Sequence, residues 1–449
     1  MRCTGKSDSS LADFKGVVNR ELDNPIAHFV AAMGLERLAR WAYCVAFCSY
    51  CLAGLLTEID FPANMIPMAG VAEIVLQLLA IGLLLFKLVV QRYTVGAISV
   101  LVGAGIVIGL SAVHAGSFTL AWIFLFVAAG QGENVKTMLR ASIPLFALVV
   151  LTVVLLSVIN VLPNVVLPDA RAIRCTFGFK HPNMLAKNLT FIAIGWIMMR
   201  FNSLDWRDVI CSLVVVCLSY CSTKSRTFLG VGFFSIVFLA IAYRYQGRGC
   251  QLGCTAWFPA VLRVVTVVAL VCFSIAAMMW FDPSLPMCAW LNSLLSERLR
   301  LAHEFYLAFP PTMWGNHQDA MVLNGILVGA SQTGFLVDNA YAHLVLSFGY
   351  IAAGLFIALY LFLLWDGGKS AGSVVVLGML ICAVVGVGES CMLDCSFNPY
   401  FAIAAAEVLY ARLSPSSGES GCLRQTEKDA DVVSPKVKKC VLDGVMGVV

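Results

Sequence analysis

Read as runs of apolar and polar positions, the 449-residue chain is a series of long hydrophobic stretches cut by short polar connections. Stretches of roughly 15–23 apolar residues bounded by charge, Pro or Gly read as membrane-crossing helices, because about 20 helical residues span a bilayer core. Twelve can be drawn: 38–56, 69–90, 94–113, 116–130, 141–161, 184–200, 208–222, 227–243, 260–280, 341–365, 372–388 and 397–411. The pattern predicts an all-α, polytopic integral membrane protein with about 12 transmembrane helices. Segment 1–37 and tail 412–449 read as polar flanks of a transmembrane domain over 38–411. No cleavable leader is expected, since a polar segment precedes a first apolar run long enough to span. The loop 281–340 is the one long connection. Within it Leu291, Leu294, Leu295, Leu299 and Phe305 recur at helical intervals, predicting an amphipathic helix on the membrane surface that ends at Pro310 and Pro311.

Composition agrees. The chain is 60% hydrophobic and only 12% charged, against about 25% charged residues in soluble domains. Mean hydropathy is +0.86. Most of the 17 cysteines lie inside apolar runs, where Cys acts as a small hydrophobe. Cys250 and Cys254 lack a second pair to complete a metal site. Cys391 and Cys395 are expected to face outside, with pairing left open by their spacing. No metal and no cofactor is expected, and no nucleic acid among the partners.

The sidedness of charge says more than the net +4. An even number of spans puts both termini on one side. Arg2, Lys6, Lys15, Arg20, Arg37 and Arg40 precede or open the first span, and the tail from Arg412 is also basic, so both ends are expected in the cytoplasm. The outer connections 57–68, 114–115 and 389–396 then contain no Lys or Arg. Eight of the 30 Lys and Arg nevertheless fall on the outer side: Arg171, Arg174, Lys180, Lys187, Lys224, Arg226, Arg298 and Arg300. Basic groups kept on that face imply an anion to bind.

Four motifs carry the candidate chemistry. Gly178-Phe179-Lys180-His181-Pro182-Asn183 opens a span, and a helix start with free N–H groups suits an anion. His181 is a candidate proton acceptor there, with Arg174, Lys180 and Asn183 as binding groups, unless the motif is only a helix start with a snorkelling Lys. Ser222-Thr223-Lys224-Ser225-Arg226-Thr227 joins two spans with almost no connector, so Arg226 lies at the membrane boundary, where a charge is a functional candidate. Its planar fork matches phosphate oxygens, with Lys224 beside it. In Ser296-Glu297-Arg298-Leu299-Arg300 the two arginines point to different faces, and Arg298 is the one expected to aim at the site, with Glu297 and Glu304 as partners on the helix. Asp338-Asn339-Ala340-Tyr341 reads either as an ordinary N-cap or as a sugar-hydroxyl grip in which Asp338 is a general base and Asn339 and Tyr341 orient the sugar. Arg171, Lys187, Lys224 and Arg300 are expected to be surface charges.

In this order on a many-span chain, GFKHPN, KSRT, LSERL and DNAYAHLVLSFGYIAAG resemble the O-antigen ligase and polymerase superfamily over about residues 70–410. The polymerases of polyprenyl-linked polysaccharide repeat units look closest, because ligases of this superfamily typically carry His-Asn where this chain has Asp338-Asn339. The resemblance implies the GT-C type of membrane glycosyltransferase, working without nucleotide sugars. It implies an inverting enzyme at the outer face of a bacterial plasma membrane. The donor and acceptor would be glycans on polyprenyl pyrophosphate, with membrane lipid around them and a flippase and a chain-length regulator as protein partners. Transfer of the glycan to another acceptor, as in ligases, or transport of an anion or glycolipid are the rival expectations. On this reading Arg226, Arg298, Arg174 and Lys180 stabilise the departing pyrophosphate.

Overall fold

The computed structural model describes residues 36–168, 173–246, 259–317, 337–366 and 372–411, with Leu22, Asn24, Pro25 and Gly34. Arg171, Cys250, Cys254, the loop stretch 318–336 and most of both tails lie outside the described residues. The helices are α1 (Glu36–Glu58), α2 (Ile66–Val90), α3 (Val95–Ala115), α4 (Thr119–Ala129), α5 (Val135–Val158), α6 (Pro182–Met199) and α7 (Trp206–Thr223). They continue with α8 (Arg226–Gln246), α9 (Ala260–Trp280), α10 (Pro286–Leu294), α11 (Arg298–Ala308), α12 (Ala340–Asp366), α13 (Gly372–Val385) and α14 (Pro399–Tyr410). A short antiparallel pair, β1 (Val166–Pro168) and β2 (Ile173–Cys175), precedes α6.

Eight of these helices are long and apolar enough to cross a membrane: α1, α2, α3, α5, α7, α8, α9 and α12. The chain is thus a helical, membrane-embedded protein. The expected count of twelve is not reached by length alone. The stretches drawn at 116–130, 372–388 and 397–411 fold as the shorter helices α4, α13 and α14. At 1.5 Å per residue α13 and α14 are about 21 and 18 Å long, less than the roughly 30 Å of a hydrocarbon core. They can be short because protein surrounds them: Val374 to Ala383 and Pro399 to Ala406 are buried throughout. Outer helices turn apolar side chains outward instead, as with Val71, Leu78 and Leu85 of α2 or Val100, Val102 and Ile106 of α3. Water would penalise such a surface and lipid does not.

Local chemistry sets the helix ends. Thr94 and Asn134 cap α3 and α5 by accepting from Ala97 N at 3.1 Å and Lys136 N at 2.8 Å. Asp205 and Asp208 form a reciprocal capping box on α7. Asn398 caps α14, with Pro399 in the first turn.

Connections gather into two groups at opposite ends of the bundle. At one end Asn24 bonds to Gln91 O (2.9 Å), Gln91 Nε2 to Ala128 O (2.6 Å) and Tyr410 Oη (3.0 Å), and Lys87 pairs with Glu133 out of solvent. At the other end Asp60 N bonds to Gly178 O and Lys180 N to Glu58 O, both at 2.9 Å, while Ala340 N bonds to Gly386 O at 2.7 Å. This second group contains all four sequence motifs.

Two features depart from a simple row of spans. The connection 386–398 between α13 and α14 sinks into the bundle: Cys391, Met392, Leu393, Cys395 and Phe397 are buried. Its irregular backbone is tolerated because Asp394 organises it, accepting from Ser396 N at 2.8 Å and Tyr50 Oη at 3.1 Å. Cys391 and Cys395, expected to face outside, are instead buried free thiols. The second departure is a break in α12 at Gly349, with φ 81° and ψ 171°. The half-helix before it, Ala340 to Phe348, is buried on every side. Segment 312–316 of the long loop fills the break. Asn316 N donates to Leu346 O at 3.1 Å, Tyr350 N to Thr312 O at 3.1 Å, and Ser111 Oγ to Phe348 O at 2.6 Å.

Gly349 is therefore required twice, by its positive φ and by the strand of backbone against it. A Cβ there would fall 2.5 Å from Met313 O and 2.6 Å from Trp314 C. Replacing Gly349 by Ala should cost about 2 kcal/mol or more. Gly354→Ala, where nothing lies within 4 Å, should be neutral or stabilising by up to about 1 kcal/mol. Thermal unfolding of the two variants in detergent reads the contrast directly.

Candidate functional site

The site is built around Arg298. Between α10 and α11 the chain reverses through Ser296 and Glu297, both at positive φ (55° and 67°). Asn292 fixes this turn: its Nδ2 donates to Glu297 Oε2 at 2.7 Å and its Oδ1 accepts from Arg300 N at 3.1 Å. The single surface helix expected across 291–309 is consequently two helices. The reversal turns Arg298 inward, 6% exposed, and leaves Arg300 45% exposed, paired with Glu297 at 3.1 Å and Glu304 at 2.6 Å. Arg300 is occupied by its own helix and is not a substrate ligand in this arrangement.

Arg298 is fully engaged by the protein. Its Nε lies 3.1 Å from Asp338 Oδ2, one Nη donates to Glu389 Oε1, and the other donates to Gly388 O. Gly388 leaves room for this contact, since a Cβ there would come within 3.2 Å of the guanidinium. The expectation that Arg298 grips phosphate is corrected accordingly: each of its three guanidinium nitrogens is aimed at a carboxylate or a carbonyl. Burial pushes both carboxyls up against the pull of the guanidinium, Glu389 to about 7. Glu389 was not singled out from the sequence. The available signal was an acid in an otherwise apolar region, which is costly and functional by default.

A second layer surrounds the start of α6. The strand pair and the turn at Gly178 (φ 84°) bring His181 to the helix start, where its Nδ1 accepts from Asn183 N at 3.1 Å. Desolvation, helped by Arg174 and Arg298, holds His181 down to about 4. The ring is neutral at pH 7, and because Nδ1 accepts, Nε2 carries the hydrogen. His181 thus presents a hydrogen-bond donor, not the lone pair that a general base needs. Arg174 ties this layer to the α7–α8 turn, its Nε donating to Thr223 O at 3.0 Å and Nη2 to Asn183 Oδ1 at 2.6 Å. Asn183 is therefore a partner of Arg174. Lys187, expected on the surface, pairs with Glu58 at the end of α1, and Asn188 joins them at 2.6 Å. Its Nζ also sits 4.7 Å over the Phe397 ring.

The α7–α8 turn holds the free cations. Lys224 adopts a left-handed cap (φ 53°), its N bonded to Tyr220 O at 2.8 Å and its Nζ 5.7 Å from the Tyr220 ring centroid. Arg226, the first residue of α8, is exposed and has no side-chain bond among the described residues; Lys180 is likewise exposed. Gly388 brings the Arg298 cluster against this turn, since its Cβ would lie 3.7 Å from Thr227 Cγ2.

Asn339 and Tyr341 face the packing, not the site. Asn339 is the cap of α12, accepting from Tyr341 N and Ala342 N at 3.0 Å and donating to Val387 O at 2.9 Å and Ser274 Oγ at 3.0 Å. Tyr341 is fully buried, its hydroxyl on Ala383 O at 2.7 Å. Neither has a group left for a sugar, so the ordinary N-cap reading of this motif prevails for both. The arrangement as a whole offers exposed cations (Arg226, Lys180), a half-buried Lys224 and a neutral imidazole donor, flanked by a partly buried carboxylate pair.

No protein-family model, curated protein or solved structure matches this chain. The class defined by fold and site is a helical membrane protein with a mixed ionic cluster at one end of the bundle.

The two arginines should separate experimentally. Arg298→Ala leaves Glu389 largely buried and Asp338 half-buried without their cation and should destabilise by about 2–4 kcal/mol. Arg226→Ala removes an exposed, unbonded side chain and should shift stability by less than about 0.5 kcal/mol. Melting of the purified variants in the same detergent compares them.

Proposed function

We propose that the chain is an inverting membrane glycosyltransferase that polymerises oligosaccharide repeat units carried on polyprenyl pyrophosphate. It works at the outer face of a bacterial plasma membrane, on a GT-C-like frame of about 12 passes with both termini cytoplasmic. The observation that carries the reading is the joining of two cation-bearing turns, at Lys180 and at Lys224–Arg226, by Arg174. A lipid pyrophosphate anchored in the bilayer brings its charge to that depth. As its bond to sugar breaks, negative charge grows on the leaving oxygen, and preorganised cations and the Nε2–H of His181 lower that barrier. Arg298 contributes by holding the carboxylates that face the acceptor, and Asp338 is one candidate to receive its proton.

The broken helix α12 supports a second reading, since discontinuous helices recur in transporters. Two facts weigh against it. The break is filled by this chain's own segment 312–316, and the exposed Lys180 and Arg226 lie elsewhere, before α6 and at the start of α8.

In a strain lacking the gene, single repeat units should persist and long polymer should vanish. Arg226→Ala or Lys180→Ala should lower chain extension at least tenfold while the protein still inserts; unchanged polymer length on gels would reject the pyrophosphate role. His181→Asn, which keeps both a cap acceptor and an N–H donor, should retain activity within about tenfold of wild type, whereas His181→Ala should lose about 100-fold or more. Loss of all transfer in His181→Asn would restore a base role for the imidazole.

A further inference from the structure

We propose that Glu389 is the group that takes the proton from the attacking acceptor hydroxyl, with Arg298 and Asp338 positioning it; this rests on the glycosyltransferase reading. Asp338 and Glu389 share one guanidinium, yet their backbone settings differ. Asp338 immediately precedes Asn339, the cap of α12, so the positive end of that half-helix favours its anion. Glu389 follows the last turn of α13, with Gly386 N on Cys382 O and Glu389 N on Val385 O, both at 2.9 Å. It lies just past the negative end of that helix, and although it also precedes the single 3-10 turn Ser390–Leu393, its side chain makes no cap bond there, so no helix start holds its anion. Two carboxylates on one cation leave a net negative charge, and the proton that relieves it belongs on the member at the unfavourable end.

Glu389 is also placed to exchange that proton. Oε1 is held by Arg298, and no bond to Oε2 is found among the described residues. The side chain is 13% exposed, and Gly388 before it lies against Thr227, next to the free Arg226. The other charged or titratable groups around it are Arg298 on α11, Asp338 before α12, Lys187 on α6 with its partner Glu58 on α1, and Asp394 and the neutral thiol of Cys391 in its own loop. His181 and Arg174 also lie near Arg298. Burial lifts the Glu389 carboxyl to about 7, the range in which a base works best near neutral pH. His181 cannot serve, because its Nδ1 already accepts from Asn183 N.

The step balances. The acceptor O–H bond breaks and its proton goes to Glu389 Oε2. The acceptor oxygen bonds to the anomeric carbon. The anomeric C–O bond to pyrophosphate breaks, its electron pair leaving on the pyrophosphate, and Glu389 later returns the proton to water.

The test uses the full chain in lipid nanodiscs with a lipid-linked repeat unit, and separately measures binding of polyprenyl pyrophosphate. The wild-type transfer rate should rise about tenfold per pH unit from pH 5.5 and level off above about 7. Glu389→Gln should lower kcat about 100-fold or more, flatten this profile, and leave polyprenyl pyrophosphate affinity within threefold. A wild-type rate that is flat from pH 5.5 to 8.5 overturns the proposal, even if the Gln variant does not fold. So does a folded Gln variant with a wild-type rate and profile. A wild type that neither binds polyprenyl pyrophosphate nor transfers glycan overturns the enzymatic reading itself, and the proposal with it.

Discussion

The end of the bundle that carries the motifs is organised by a buried guanidinium. Arg298 is drawn into protein by two carboxylates and a carbonyl that come from widely separated parts of the chain, at positions 338, 389 and 388. Taking such charges out of water is expensive, and the cost is offset only when nearly every donor is matched. That requirement sets several other features. It turns the chain through two left-handed residues before α11, keeps position 388 a glycine, and brings the α13–α14 connection down among the helices. Removing one partner would strand the others, so the cluster behaves as a unit.

Occupation of Arg298 leaves a division of labour. Cations that are paired position things: Arg174 joins two turns, Lys187 anchors α6 to the end of α1, and Arg298 orders the acids. Arg226 and Lys180, exposed and without a side-chain bond among the described residues, remain for an incoming anion. A fixed field at the boundary and a carboxylate with a raised proton affinity beside it suit a reaction in which negative charge leaves and a hydroxyl proton must be accepted.

Much of the helical layout was legible in the sequence, because lipid demands long apolar runs and backbone bonding within each segment. All twelve apolar stretches fold as helices, and the motifs do meet at one end. Less legible were features that depend on contacts far apart in sequence. That α13 and α14 are short and enclosed by protein could not be read from the sequence, because periodicity does not report what surrounds a helix. The break at Gly349 needed the knowledge that segment 312–316 lies against it. Asn339 and Tyr341 looked like sugar ligands because an amide and a phenol at a boundary carry no mark of the partners they have already found. Glu389 carries no local motif, and its role appears only when Arg298, 91 residues away, is brought against it.

The central claim is that the free cations at this end bind a lipid-linked pyrophosphate. Retention of polyprenyl pyrophosphate by the purified protein, measured by native mass spectrometry against polyprenyl monophosphate and uncharged polyprenol, tests it most directly. The account predicts preferential retention of the pyrophosphate, lost in Arg226→Ala. Equal retention of all three lipids, or retention unaffected by that substitution, would contradict it.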